Sequence, residues 1–105
     1  MFISGVYPAW FVRIRVKFFG DLYELIGTFR VELEVPKGLT IRDLINLVSH
    51  TFNPKFSEAI LDGDGRLRGE YVVLINGKSI EFLRGLDTEL SDDEEVVFLP
   101  PAEGG

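Results

Sequence analysis

The sequence predicts an α+β domain in which one mixed sheet wraps around one main helix, and three observations predict it. Val12, Ile14, Val16 and Phe18 alternate with Arg13, Arg15 and Lys17, and a second run, Phe29, Val31, Leu33 and Val35, alternates with Arg30, Glu32 and Glu34. Alternation at period two marks strands with one buried face. Ile41, Leu44, Ile45 and Val48 then recur at i, i+3, i+4 and i+7, the apolar stripe of an amphipathic helix lying on a sheet. Downstream come two further apolar strands around an Asn-Gly turn and a last strand, Val96 to Leu99. The order strand, strand, helix, strand, strand, strand lets the first and last strands lie side by side, parallel, at the centre of the sheet.

The polar faces of the first two strands carry opposite charge, three basic groups, Arg13, Arg15 and Lys17, against a pair of glutamates, so antiparallel pairing places favourable cross-strand partners side by side. The link GDLYELIG, Gly20 to Gly27, is too long for a two-residue turn and holds a helical turn around Leu22 to Ile26. Pro36, Lys37 and Gly38 close the second strand. Thr40 and Asp43 are spaced as a capping pair, with the threonine oxygen free to accept a first-turn N–H and an acid near the positive helix end. Asn53-Pro54 ends the helix. Residues 55–61 read as a further short turn, Leu61 to Gly69 as a loop, Tyr71 to Ile75 as a strand, and Ser79 to Phe82 as its return across Asn76-Gly77. The acidic run Asp92 to Glu95 reads as a solvated turn before the last strand.

A chain of 105 residues is one domain, with 46% apolar residues and nine phenylalanines to build a core. It has no cysteine, which excludes disulfides, thiolate metal sites and cysteine nucleophiles. A formal charge of −6 disfavours a phosphate-backbone partner and suits docking on a basic protein surface. The basic row of the first strand therefore reads as a solvated face rather than a nucleic-acid site. The apolar start, MFISGVYPAWF, lacks a basic leader, is broken by Gly5 and Pro8, and meets Arg13 well before the ~20 residues of a membrane span. It reads as an N-terminal extension, residues 1–11, with Trp10 and Phe11 packing on the domain, and the expected compartment is the cytoplasm.

Several catalytic and metal signatures fail on spacing. Asp62 and Asp64 open like a calcium loop, but the fifth, sixth and twelfth positions are Arg66, Leu67 and Val73. His50 is the single histidine, with no second soft ligand. There is no Gly-x-x-x-x-Gly-Lys phosphate loop and no serine in a nucleophile elbow.

What remains is the end, VVFLPPAEGG. Average glycine usage of about 7% makes a terminal pair a one-in-two-hundred event, weak evidence by itself against a frayed terminus. Gly104 and Gly105 lack Cβ atoms and form a thin strip able to thread a narrow channel. Pro100 and Pro101 stiffen its base. At ~3.3 Å per residue, Ala102 to Gly105 reach about 13 Å past the prolines.

The segments VRIRVKFFGDLYELIG, VPKGLTIRDLI, VLINGKSI and LSDDEEVVFLPPAEGG resemble the small, sulfur-carrying subunit of molybdopterin synthase, the MoaD family, over residues 12–105. The resemblance implies a ubiquitin-like β-grasp at residues 12–99 and a tail at 100–105. It implies that the Gly105 carboxylate is adenylated by an E1-like enzyme, converted to a thiocarboxylate by a sulfur donor system, and spent on a pterin precursor in the large synthase subunit, with Gly104 giving clearance. It implies no bound cofactor, since ATP belongs to the activating enzyme, and no nucleic-acid or membrane partner. Partner binding falls to Phe19, Ile80 and Leu99, an apolar patch, together with Pro100, Pro101, Ala102 and Glu103. The extension and the segment Phe82 to Gly85 depart from the family pattern. Two other classes fit the same residues: a ubiquitin-like modifier joined through Gly-Gly to lysines, and a β-grasp binding module that ignores the tail.

Overall fold

Strand β1, Phe11–Phe18, buries every second residue, Val12, Ile14, Val16 and Phe18, as the alternation requires. The structure is a computed structural model that describes residues 9–101; the expectations for residues 1–8 and for Ala102, Glu103, Gly104 and Gly105 lie outside the described residues. Phe11 opens β1 opposite Pro36, so it belongs to the sheet rather than to an extension. Trp10 is 67% exposed, and its carbonyl accepts from the Lys37 N–H at 2.6 Å. The expected packing of Trp10 is therefore corrected, because the strand begins one residue later and leaves its ring over solvent.

Helix α1, Asp21–Ile26, buries Leu22 and closes on Gly27, whose φ of 91° lets its N–H return to the Tyr23 carbonyl. Strand β2, Arg30–Pro36, pairs antiparallel with β1. It is an edge strand, so only Val35 is fully buried; Val31 and Leu33 are half-buried and Phe29 lies before the strand, exposed. Helix α2, Ile41–Thr51, carries the reciprocal cap: the Asp43 N–H donates to Thr40 Oγ1 at 3.1 Å, and the Thr40 N–H donates to Asp43 Oδ2 at 3.2 Å. Its buried stripe contains Ile41, Leu44, Ile45 and Val48.

Residues 55–61, read as a turn, contain helix α3, Lys55–Ile60, which delivers Phe56 to the core. There Phe18 and Phe98 stack at 5.8 Å, and Phe56 meets both edge-on, at 5.5 and 5.2 Å. These favoured ring geometries add to the area buried. In the following loop Asp62 Oδ1 accepts the N–H groups of Asp64 and Arg66, which holds that carboxyl below the usual carboxylate range and turns the chain.

Strand β3, Val72–Ile75, turns at Asn76-Gly77, both at positive φ, into β4, which is only Lys78–Ser79. The expected strand through Phe82 is replaced by a 3₁₀ turn, Ile80–Phe82, because Ser79 Oγ accepts the Glu81 N–H and tightens the chain. A second such turn spans Gly85–Asp87. Strand β5, Glu94–Leu99, starts two residues earlier than expected, inside the acidic run. The sheet order is β2-β1-β5-β3-β4, with β1 and β5 parallel and every other pair antiparallel. Among the described residues no helix is long and apolar enough to cross a membrane.

Candidate functional site

The site is built where β5 ends. Val96 and Phe98 point into the core, so Val97 and Leu99 fall on the opposite, helix-free face and are half-buried there. Register brings Val72 opposite Leu99 and Leu74 opposite Val97. Both β3 residues are half-buried while Val73 and Ile75 are buried, so four aliphatic side chains share this face. Phe19 lies one residue beyond β1 beside them, 41% exposed, its N–H donating to the Phe98 carbonyl at 3.3 Å.

The structure thus unites Phe19 and Leu99 at the tail end of the sheet but removes Ile80. Ile80 is 2% exposed, a core residue, and is corrected as a docking residue. Ser79 pairs with outward-facing Leu74, so the next residue, Ile80, falls on the core side as Val73 does. Val72 and Leu74 take its place in the patch. Their outward orientation was not readable from Tyr71 to Ile75, which is apolar at all five positions and therefore has no alternation to read.

Pro100 is half-buried against Gly20, so closely that a Cβ at position 20 would stand 2.6 Å from Pro100 Cγ. Gly20 has φ +61° and ψ −133°, a conformation that suits glycine. Pro101 is exposed. Pro100 lacks an N–H and cannot extend the ladder, so the sheet stops where the tail starts.

The other half of the same face, β1 with β2, is charged and internally paired. Arg13 meets Glu34 at 3.1 Å, Arg15 meets Asp93 at 2.6 Å, and Lys17 meets Glu95 at 3.0 Å. Register sets Arg15 opposite Glu32 as expected, yet the ion pair goes to Asp93. Asp93 sits at φ +65°, and its neighbour Asp92 accepts the Arg13 N–H, which ties the acidic turn onto β1. Among the described residues no group of three histidine, aspartate or glutamate side chains is placed to hold a metal ion. His50 lies in the last turn of α2, exposed.

A mixed sheet in this order, grasping one main helix and releasing a tail from its central strand, defines a ubiquitin-like β-grasp protein. The chain belongs to the ThiS family, whose sequence profile matches residues 16–105, and its sulfur-carrier resemblance falls within this ThiS/MoaD group. A protein of Archaeoglobus fulgidus named as a sulfur carrier is 35% identical over 75 residues, covering 71% of this chain and 83% of that one. The solution structure of small archaeal modifier protein 1 from Methanosarcina acetivorans superposes with a TM-score of 0.73 at 30% identity, covering 90% and 98% of the two chains. A Pyrococcus furiosus structure described as molybdopterin converting factor, subunit 1, gives a TM-score of 0.68 at 29% identity, covering 87% and 99%.

Proposed function

We propose that this chain is a cytoplasmic sulfur carrier for molybdenum or tungsten cofactor synthesis, acting through the α-carboxylate of Gly105. The observation that carries the proposal is the pairing of an unsatisfied apolar sheet face, Val72, Leu74, Val97 and Leu99, with a tail anchored at its edge by Pro100. Such a face suits reversible docking on a partner that supplies the chemistry.

The reaction divides between the two proteins. A carboxylate is a poor electrophile, so an E1-like partner joins it to AMP from ATP and releases pyrophosphate. A persulfide from a sulfur donor then displaces AMP, and reduction of the resulting acyl disulfide by a thiol leaves the thiocarboxylate. In the large synthase subunit that sulfur attacks a pterin precursor, and water returns the carboxylate. The chain contributes the docking face, the reach and the narrowness of the tail, while Pro101, Ala102, Glu103 and Gly104 line its path.

The test incubates the protein with ATP, the adenylating enzyme of the same organism and a sulfur source, reading intact mass. Replacement of one oxygen by sulfur is expected. Deleting Gly105 shortens the reach by ~3.3 Å and should abolish the product, since even 1 Å of misplacement can cost about a hundredfold in rate. Equal yield from the deletion variant overturns the proposal. A second reading, a protein modifier, is favoured by the small archaeal modifier protein 3 of Haloferax volcanii, 26% identical across 90% of this chain and all of that one. Adducts on lysines of other proteins, without pterin sulfuration, would select it.

A further inference from the structure

Phe18 stands beside Phe98 and Val72 opposite Leu99, so Gly20 lies two residues past Phe18 as Pro100 does past Phe98, and Tyr71 precedes Val72 as Pro100 follows Leu99. These two segments are joined. The Tyr71 hydroxyl donates to Asp21 Oδ2 at 3.2 Å, between residues 50 apart in sequence. Val72 belongs to the helix-free face, so Tyr71 turns to the other side, where it packs against the core cluster and where α1 inserts Leu22. The Pro100 ring is pressed on Gly20, and Gly20 adjoins Asp21, so the bridge to Tyr71 ties down the segment on which Pro100 is seated.

We propose that Asp21 and Tyr71 form a positioning clasp that fixes the direction in which the tail leaves the domain, and thereby the rate at which Gly105 is adenylated. The inference rests on the carrier reading for its consequence, though not for its geometry. A tilt of about 10° at Pro100 swings the end of a ~13 Å tail by roughly 2 Å. A clasp that holds the base spares the activating enzyme the fixing of one more backbone residue, a factor of roughly five to thirty. Neither residue touches the reacting carboxylate. Both act through Pro100.

The clasp and the docking face should separate kinetically. The sheet patch governs how well the domain docks, and hence KM; the clasp governs tail insertion after docking, and hence kcat. Pyrophosphate release by the organism's own adenylating enzyme is measured for wild type, Tyr71→Phe, Asp21→Ala, Asp21→Asn and the Tyr71→Phe/Asp21→Ala double variant. Expected are a five- to thirtyfold lower kcat at unchanged KM for Tyr71→Phe and Asp21→Ala, and a double variant no worse than either single one. Asp21→Asn keeps an acceptor oxygen and should stay near wild type. Unchanged kcat in Tyr71→Phe overturns the clasp, as does a rise in KM instead, or an Asp21→Asn variant as impaired as Asp21→Ala. A second measurement needs no activation. Cross-relaxation between the Gly20 α-protons and the Pro100 ring protons is expected in wild type and should weaken in folded Tyr71→Phe; full retention overturns the clasp. If wild type releases no pyrophosphate, the carrier reading fails while this proton contact still decides the clasp.

Discussion

The helix-free face of the sheet has two halves built from adjacent strands, and they solve the problem of exposure in opposite ways. On β1 and β2 the outward charged side chains are Arg13, Arg15, Lys17, Arg30, Glu32 and Glu34, and each cation has its acid within the same molecule. Beyond Glu95, which pairs with Lys17, β5 and β3 present Val72, Leu74, Val97 and Leu99, left half-buried with no layer above them among the described residues. The charged half is complete without a partner. Only the apolar half gains from one, since burying a large aliphatic side chain contributes about 1.5–3 kcal/mol. The tail leaves from the apolar half, so docking and delivery share one edge.

The largest effect expected from this contrast follows from Leu99→Asp. A carboxylate placed in the patch both forfeits apolar burial and must be desolvated on docking, so affinity for the adenylating enzyme should fall about tenfold or more by calorimetry. Leu99 is already half-solvated and faces away from Phe18, Phe56 and Phe98, so the melting temperature should change little. Undiminished binding by a folded variant would break the assignment of function to this half.

How much of this was legible in the sequence depends on the strand. β1 announced its faces because cations separate its apolar residues, and α2 announced its stripe and its cap at Thr40. β3 is apolar at every position, so its faces were decided only by pairing with β5, and Val72 and Leu74 went unrecognised. Ile80 was misplaced because its face follows from pairing: it comes one residue after Ser79, the partner of outward-facing Leu74, and so falls on the core side. Phe56 was missed because α3 is six residues long, too short for a helical period to stand out. The seat of Pro100 on Gly20 and the Tyr71 to Asp21 bridge are contacts between distant segments, and no local pattern encodes them.

A smaller effect should follow from Lys17→Ala, which opens the ion pair with Glu95 at the seam between the halves. Exposed pairs contribute up to about 1 kcal/mol and are screened by salt. Chemical denaturation should show a loss of that size at low ionic strength that shrinks when salt is added. Docking affinity should fall less than for Leu99→Asp, with any change concentrated in the association rate. A Lys17→Ala defect as large as that of Leu99→Asp, at the same salt, would mean that the charged half also contacts the partner and would dissolve the contrast.

The smallest effect lies at the end of the face, where β1, β5 and β3 meet the tail. Burial, and then the nearby Asp21 carboxylate, push the Tyr71 hydroxyl above its ordinary value of 10.0. For an acid held protonated by the fold the sign is fixed: its contribution to stability is fully present below the unfolded value and declines as pH rises past 10.0 toward the folded value. The denaturation midpoints of wild type and Tyr71→Phe should therefore differ by a constant amount from neutral pH to about 10, the ordinary tyrosine value, and that difference should change only above it. Tyrosinate absorbance should agree, with the wild-type minus Tyr71→Phe difference titrating above the ordinary value. If the difference instead titrates at or below 10.0, Tyr71 is solvated, the bridge to Asp21 is open in solution, and the tail is held at Pro100 by Gly20 alone.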